Sequence, residues 1–107
     1  RILVLGLAYK ANVDDDREAP SYVLMEKLEA RGAKVDYHDP HVLMIRPTRE
    51  HAHFAGRHSM SLGGNYDLLL IATAHDEYRA HDFSGVAVPV VDTGNCVLKR
   101  PKLYYRA

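Results

Sequence analysis

The chain has 107 residues, the usual size of one domain, with no room for two full cores. Hydrophobic residues make up 47% and charged residues 26%, which excludes a disordered chain, and the formal net charge of zero excludes broad attraction to nucleic acid or to an anionic membrane. No apolar run approaches the roughly 20 residues that span a bilayer. The single cysteine, Cys96, excludes an internal disulfide and fits a reducing compartment, so we expect a cytoplasmic protein.

The first predicted element is a strand that begins one residue into the chain. Ile2–Leu5 is a continuous apolar run, typical of a strand covered on both faces, and Gly6 ends it. Because no methionine precedes this core strand, we expect residues 1–107 to be a single domain of a longer polypeptide. Residues 7–19 hold two turn-forming, charged clusters and are predicted to form a loop.

Residues 20–31 are predicted to form a helix that leads into a second strand. A proline opens the segment and a glycine follows it, as is common at helix ends. Val23, Leu24 and Leu28 give an apolar stripe for the core, with the charged residues between them facing solvent. The alternating residues 33–38 predict a strand, which completes a strand–helix–strand unit with a right-handed crossover.

The rest of the chain is predicted to alternate strands with loops and one short helix. Residues 41–64 have no clear pattern, and we expect an irregular excursion with a short helix within 47–56. The later elements are predicted as a strand at 68–73, a short helix at 77–79, a strand at 88–92 and an edge strand at 103–105. The fold class is therefore α/β: a doubly wound, Rossmann-like parallel sheet of about five strands in three layers, with a topological switch beside the first strand.

The loop after the first strand is the predicted ligand site, because ligands bind at the carboxyl edge of such sheets. A dinucleotide fingerprint is missing there, since Gly6 supplies only the first glycine of G-x-G-x-x-G. Lys10 and Arg17 in this loop suit an anion, either phosphate or carboxylate. The alternative, which spacing alone favours, is a solvated Lys10 and an Arg17 paired with the aspartates at 14–16. Those aspartates lack a calcium-loop pattern and are expected to order the loop.

Three further groups of residues carry side chains that could form a chemical site. His75 and Asp76 suit a general-base pair, but neighbours in sequence seldom face each other, which favours capping contacts at a loop end. His51 and His53, with a histidine at 58, have no third ligand at zinc-binding spacing. Cys96 has no helix N-terminus or cation to activate it, so a partly buried structural thiol is favoured. We predict no catalytic residue and no metal site.

Residues 6–21, GLAYKANVDDDREAPS, resemble the opening signature of the C-terminal, UDP-binding domain of the UDP-glucose/GDP-mannose dehydrogenase family. The resemblance continues through residues 32–40, 72–78 and 90–95, and leaves out only about 41–64. Tyr-Lys followed by Asn-Val-Asp-Asp resembles the branch that acts on UDP-N-acetylhexosamines (GlcNAc or ManNAc) more than the UDP-glucose branch.

This resemblance implies a UDP-sugar-binding domain of an NAD-dependent dehydrogenase that oxidises the sugar C6 alcohol to a uronic acid, as in polysaccharide biosynthesis. In such enzymes an N-terminal domain binds NAD and a central domain carries the catalytic cysteine. Both are absent from this chain, so no turnover is expected from it alone. The implied partners are those two domains and further copies in a homo-oligomer. The alternative is a non-catalytic assembly domain or a diverged UDP-binding module.

The resemblance also implies roles for individual residues. Tyr9 would lie against the uridine or its ribose, and Lys10 would contact the phosphates or the sugar of the substrate. Arg17 would reach across an interdomain cleft toward NAD. Gly94 departs from the family, which commonly has arginine there, and this removes a charge-assisted contact of about 1.5–3 kcal/mol. The nearby cations Lys99 and Arg100 are the candidates to replace that arginine.

Overall fold

A computed structural model describes residues 1–13, 19–47 and 51–107. Over these residues the chain forms five strands, two α-helices and one short 3-10 helix. In chain order these are β1 (Ile2–Leu5), α1 (Pro20–Ala30), β2 (Val35–His38), the 3-10 helix (Ala52–Phe54), β3 (Leu68–Ile71), α2 (Asp76–Ala80), β4 (Val90–Asp92) and β5 (Tyr104–Arg106). None of the helices in the described ranges is long and apolar enough to cross a membrane.

The five strands form one parallel sheet in the order β2-β1-β3-β4-β5. Leu3 of β1 lies opposite Asp36 of β2 on one side and Leu69 of β3 on the other. β2 therefore lies on one side of β1, and β3, β4 and β5 follow in order on the other side. This places the topological switch between β1 and β3, beside the first strand as predicted.

The core has two clusters, one on each face of the sheet, which confirms the three-layer prediction. Successive side chains of a strand point to opposite faces. Val4 accordingly packs with Tyr22 and Met25 of α1, whereas Leu3 packs in a second cluster with Tyr78 of α2. Because both faces of β1 are covered, its sequence reads as a continuous apolar run.

The buried face of α1 differs from the predicted stripe. Tyr22 and Met25 are fully buried, whereas Val23 is 45% exposed, and Leu24 and Leu28 are half-buried. The reason is tertiary: Tyr22 stacks on the ring of Phe54, at 5.8 Å between centroids, and this contact fixes the rotation of the helix.

The excursion between β2 and β3 carries the short helix predicted within 47–56 and adds a large side chain to the core. Phe54, in the 3-10 helix, is fully buried. Two glutamates of α1 that were predicted to face solvent are half-buried, because this excursion pairs with them: Glu26 bonds His51, and Glu29 bonds Arg57 at 3.1 Å. The ring of His51 also stacks on that of Tyr22, at 4.8 Å between centroids, so this residue packs the excursion against α1.

Candidate functional site

Three loops meet at the carboxyl edge of the sheet and enclose a pocket of about 200 Å³. They follow β1, β3 and β4, and α1 closes the fourth side. The residues that line the pocket are Ala8, Tyr9, Pro20, Ser21, Leu24, Ala72, Thr73 and Thr93. This is the edge at which the sequence predicts a ligand, beside the topological switch.

The loop after β1 is pressed against the loop after β3, and Gly6 permits this approach. Gly6 has a φ of +95°, and a Cβ there would lie 2.4 Å from the Cβ of Thr73. Thr73 Oγ1 donates to the carbonyl of Ala8 at 3.0 Å, and Ser21 Oγ donates to the carbonyl of Gly6 at 2.9 Å. The start of the loop is therefore attached both to the loop after β3 and to the first turn of α1.

A buried carboxylate, Asp39, holds the same loop from the side of β2. Asp39 is fully buried, and its Oδ2 accepts the backbone N–H groups of Leu7 at 2.7 Å and Ala8 at 3.0 Å. Its Oδ1 accepts the N–H groups of His41 and Val42. Burial alone raises the pKa of Asp39, but the hydrogen bonds from Ala8, His75 and Leu7 outweigh it, so that the pKa lies below its ordinary value.

His75 links Asp39 to the far end of the loop. The fully buried ring accepts the backbone N–H of Asn12 at Nδ1, at 2.7 Å, so its proton lies on Nε2, which donates to Asp39 Oδ2 at 2.9 Å. Asn12 has a φ of +63°, and its Oδ1 caps α2 by accepting the N–H of Asp76 at 2.8 Å. The cap at this loop end thus comes from Asn12, since His75 makes no capping bond with its side chain. The carboxylate partner of His75 is Asp39 rather than Asp76.

These anchors leave Tyr9 and Lys10 at the tip of the loop, between the fixed residues Ala8 and Asn12. Tyr9 is 59% exposed and lines the pocket, and Lys10 is exposed. Of the two predicted substrate-binding residues, Tyr9 therefore lines the pocket, and Lys10 follows it in the chain without being part of the pocket wall. Arg17 and the aspartates at 14–16 lie outside the described residues.

The loop after β4 is organised by a second buried carboxylate. Asp92 accepts the N–H groups of Gly94 at 3.1 Å and Val97 at 2.9 Å, and the hydroxyl of Tyr104 at 2.7 Å. Burial raises the pKa of Asp92, but the hydrogen bonds from Val97 and Tyr104 outweigh it and lower the pKa overall. Asp92 thereby fixes the loop that brings Thr93 to the pocket.

Gly94 packs too closely on the loop after β3 to carry a side chain in place. A Cβ on Gly94 would lie 2.6 Å from the Cβ of Ala74. The family arginine therefore requires Ala74 to move. Arg100 lies over the ring of Tyr104, 4.4 Å from its centroid, and so is engaged beside β5; Lys99 is exposed.

The serine and threonine hydroxyl groups of the pocket present acceptors rather than donors. Ser21, Thr73 and Thr93 each give their hydroxyl proton to a backbone carbonyl, namely those of Gly6, Ala8 and Ile71. Their remaining capacity is for ligand N–H or O–H groups. The pocket therefore suits an uncharged, donor-bearing group, and an anion is better met by Lys10, which is exposed and follows Tyr9 in the chain.

The backbone turn after β1 does not fit the pyrophosphate of NAD. In a dinucleotide fold the N–H groups at this turn face the phosphates. Here the N–H groups of Leu7 and Ala8 are both donated to Asp39. A bound cofactor phosphate would also meet the negative charge of that carboxylate.

Cys96 and the histidines supply no chemical centre in the described part of the chain. Burial, with the nearby charge of Asp92, raises the pKa of the Cys96 thiol to about 11, which makes it unreactive. It is fully buried, more so than predicted. Ligand atoms of His41, His75 and Glu77 lie within 4.8 Å of one another. Both ring nitrogens of His75 are already engaged, so this group offers a metal only two ligands.

Sequence reasoning missed Asp39 and Asn12. The available signal is position, because Asp39 follows β2 at the same sheet edge as Gly6 and His75. The contact it makes with His75 spans 36 positions, which no local pattern reveals.

An open parallel sheet with a pocket at its switch point defines a Rossmann-like α/β ligand-binding domain. Residues 3–99 match the model of the UDP-glucose/GDP-mannose dehydrogenase family, UDP binding domain. The chain therefore belongs to the UDP-glucose/GDP-mannose dehydrogenase family as its UDP-binding domain, which confirms the resemblance in its sequence.

Similar proteins include both glucose and mannosamine enzymes. The chain is 32% identical over 83 residues to UDP-glucose 6-dehydrogenase of Rhizobium meliloti, covering 78% of this chain and 19% of that protein. It is 29% identical over 82 residues to UDP-N-acetyl-D-mannosamine dehydrogenase of Methanocaldococcus jannaschii, covering 77% and 18%. The structure of the UDP-N-acetyl-mannosamine dehydrogenase Cap5O from S. aureus superposes with a TM-score of 0.74 at 31% identity, covering 98% of this chain and 25% of that one. The chain thus spans about a fifth to a quarter of these relatives.

Proposed function

We propose that this chain binds the UDP-sugar substrate of an NAD-dependent nucleotide-sugar 6-dehydrogenase. The observation that carries the proposal is the anchored loop after β1, whose Tyr9 lines the pocket beside the topological switch and is followed by the exposed Lys10. In the whole enzyme, other domains of the same polypeptide bind NAD and supply the catalytic cysteine, and the enzyme assembles as a homo-oligomer. This chain contributes binding and not chemistry.

In this proposal the pocket binds the uridine of the ligand, and Lys10 binds its diphosphate. The acceptor-rich wall formed by Ser21, Thr73 and Thr93 takes the donor groups of uridine, and Tyr9 lies against its base or ribose. Lys10 meets the diphosphate as a point charge. NAD is held elsewhere, since Asp39 already takes the N–H groups of Leu7 and Ala8. Arg17 reaches toward that cofactor.

The test is a calorimetric titration of the chain with UDP, UDP-GlcNAc, UDP-ManNAc and uridine. We predict that Lys10→Met weakens UDP binding by about 10- to 100-fold, because a charge-assisted contact contributes about 1.5–3 kcal/mol. Uridine, which carries no phosphate, should bind both proteins equally.

Lys34→Met is the matched control, because Lys34 is also exposed but precedes β2 at the opposite edge of the sheet. It should leave all affinities unchanged. Equal losses of UDP affinity in Lys10→Met and Lys34→Met would contradict the assignment of Lys10.

A second function, that of an assembly domain or a diverged module, is favoured by Gly94. The residue that commonly supplies an arginine is here packed against Ala74. In that case none of the four ligands gives heat at millimolar concentration.

A further inference from the structure

A network of hydrogen bonds lies beneath the loop that follows β1. Its central side chains, those of His75 and Asp39, are fully buried. It passes from the N–H of Asn12 to His75 Nδ1, and from His75 Nε2 to Asp39 Oδ2. Asp39 in turn holds the N–H groups of Leu7 and Ala8. These hydrogen bonds therefore hold the loop that contains Tyr9 and Lys10 at both ends of the loop, at Leu7 and Ala8 on one side and at Asn12 on the other.

The hydrogen bonds at position 75 explain why a histidine occupies it. The position needs a buried acceptor toward Asn12 and a buried donor toward Asp39, on opposite sides of one rigid group. Neutral imidazole supplies both. A side chain without the acceptor would leave the N–H of Asn12 without its partner, and one without the donor would take a hydrogen bond from the buried Asp39. No buried side-chain nitrogen or oxygen in the described ranges lacks a partner.

We propose that His75 is a positioning residue for substrate: through the N–H of Asn12 it fixes the loop conformation in which Tyr9 and Lys10 meet the UDP-sugar. The inference rests on the proposed function of these two residues. His75 makes no contact with the ligand itself, because its side chain is fully buried and both ring nitrogens are engaged. Its effect on affinity passes through Asn12.

Two substitutions separate positioning from simple packing. The amide of asparagine lies near the place of Nδ1, so His75→Asn keeps an acceptor for the N–H of Asn12. The longer glutamine places its amide near Nε2, so His75→Gln keeps a donor for Asp39 and leaves Asn12 without an acceptor. Both variants remove the ring, and both are expected to lower stability by similar amounts.

The measurement is UDP affinity by calorimetry, with urea unfolding on the same proteins. We expect His75→Gln to bind UDP about ten-fold more weakly than the native chain, and His75→Asn to stay within about three-fold of it. Val90→Ala is the control for lost stability, because Val90 is buried in the core cluster on the α2 face of the sheet, outside the pocket. It should unfold at lower urea with unchanged affinity.

Amide hydrogen exchange gives a second readout that needs no ligand. The amides of Tyr9, Lys10 and Asn12 should exchange faster in His75→Gln than in His75→Asn, beyond any change caused by global unfolding. Equal affinities and equal exchange in the two variants, or the reverse order, would overturn the proposal. If the native chain binds no UDP, the proposed function fails, and the exchange comparison still decides whether His75 positions the loop.

Discussion

At the scale of single residues, two buried carboxylates, Asp39 and Asp92, hold the loops that line the pocket. Asp39 accepts five hydrogen bonds, four from backbone N–H groups and one from His75. Buried charge is tolerated only with such partners. Motif similarity predicted the exposed Tyr9 and Lys10, but the buried pair of Asp39 and His75 depends on the sheet bringing two distant loops together.

Replacing Asp39 by asparagine should destabilise the domain and remove part of its acid sensitivity. At pH 7 we expect Asp39→Asn to lower the free energy of unfolding by about 3 kcal/mol, because the new amide directs N–H groups at N–H donors. Asp67→Asn, at an exposed carboxylate, should leave the free energy of unfolding almost unchanged. Urea unfolding measures both.

The pH dependence follows from the lowered pKa of Asp39. A lowered folded-state pKa means that the unfolded chain binds its proton first, so this stabilisation is complete above pH of about 4 and is lost as pH falls through the folded value. The difference in unfolding free energy between the native chain and Asp39→Asn should therefore shrink below about pH 4. A difference that stays constant from pH 7 to pH 3 would contradict this.

At the scale of elements, the strands were predictable and the rotation of α1 was not. Continuous apolar runs specify β1 and β3, and the alternation of strands with helices predicts a parallel sheet with its topological switch beside β1. The predicted buried face of α1 was wrong because Tyr22 packs on Phe54, which lies in the excursion of residues 41–64. That excursion carries no family motif, so its contacts with α1 have no local signal.

The close packing of the loop after β4 on the loop after β3 predicts the effect of a side chain at Gly94. Gly94→Arg alone should lower the free energy of unfolding by about 1–3 kcal/mol, because its Cβ would lie 2.6 Å from that of Ala74. Ala74→Gly combined with Gly94→Arg should recover most of that loss and gain UDP affinity over the native chain. Urea unfolding and calorimetry of the single and double variants test both effects. A single variant as stable as the native chain would show that the loops tolerate the arginine.

At the scale of the whole molecule, the chain encloses both of its core clusters but leaves its pocket open at one edge of the sheet. The fold class, the switch point and the ligand edge followed from the sequence, because they depend on the order of the elements. The shape of the pocket did not, because Thr73 and Thr93 have no motif of their own. Their place in the site follows from the strands that they end.

The central claim is that UDP binds where the loops after β1, β3 and β4 meet. The most direct measurement is a titration of the isotope-labelled chain with UDP, followed by the amide resonances. We predict shifts at Tyr9, Lys10, Thr73 and Thr93. The second pocket, of about 260 Å³ at the opposite edge of the sheet, is an internal control; its lining includes Leu62, Gly63, Gly64, Asn65 and Val86. Shifts concentrated at that opposite pocket, or no shifts at the four predicted residues, would contradict the claim.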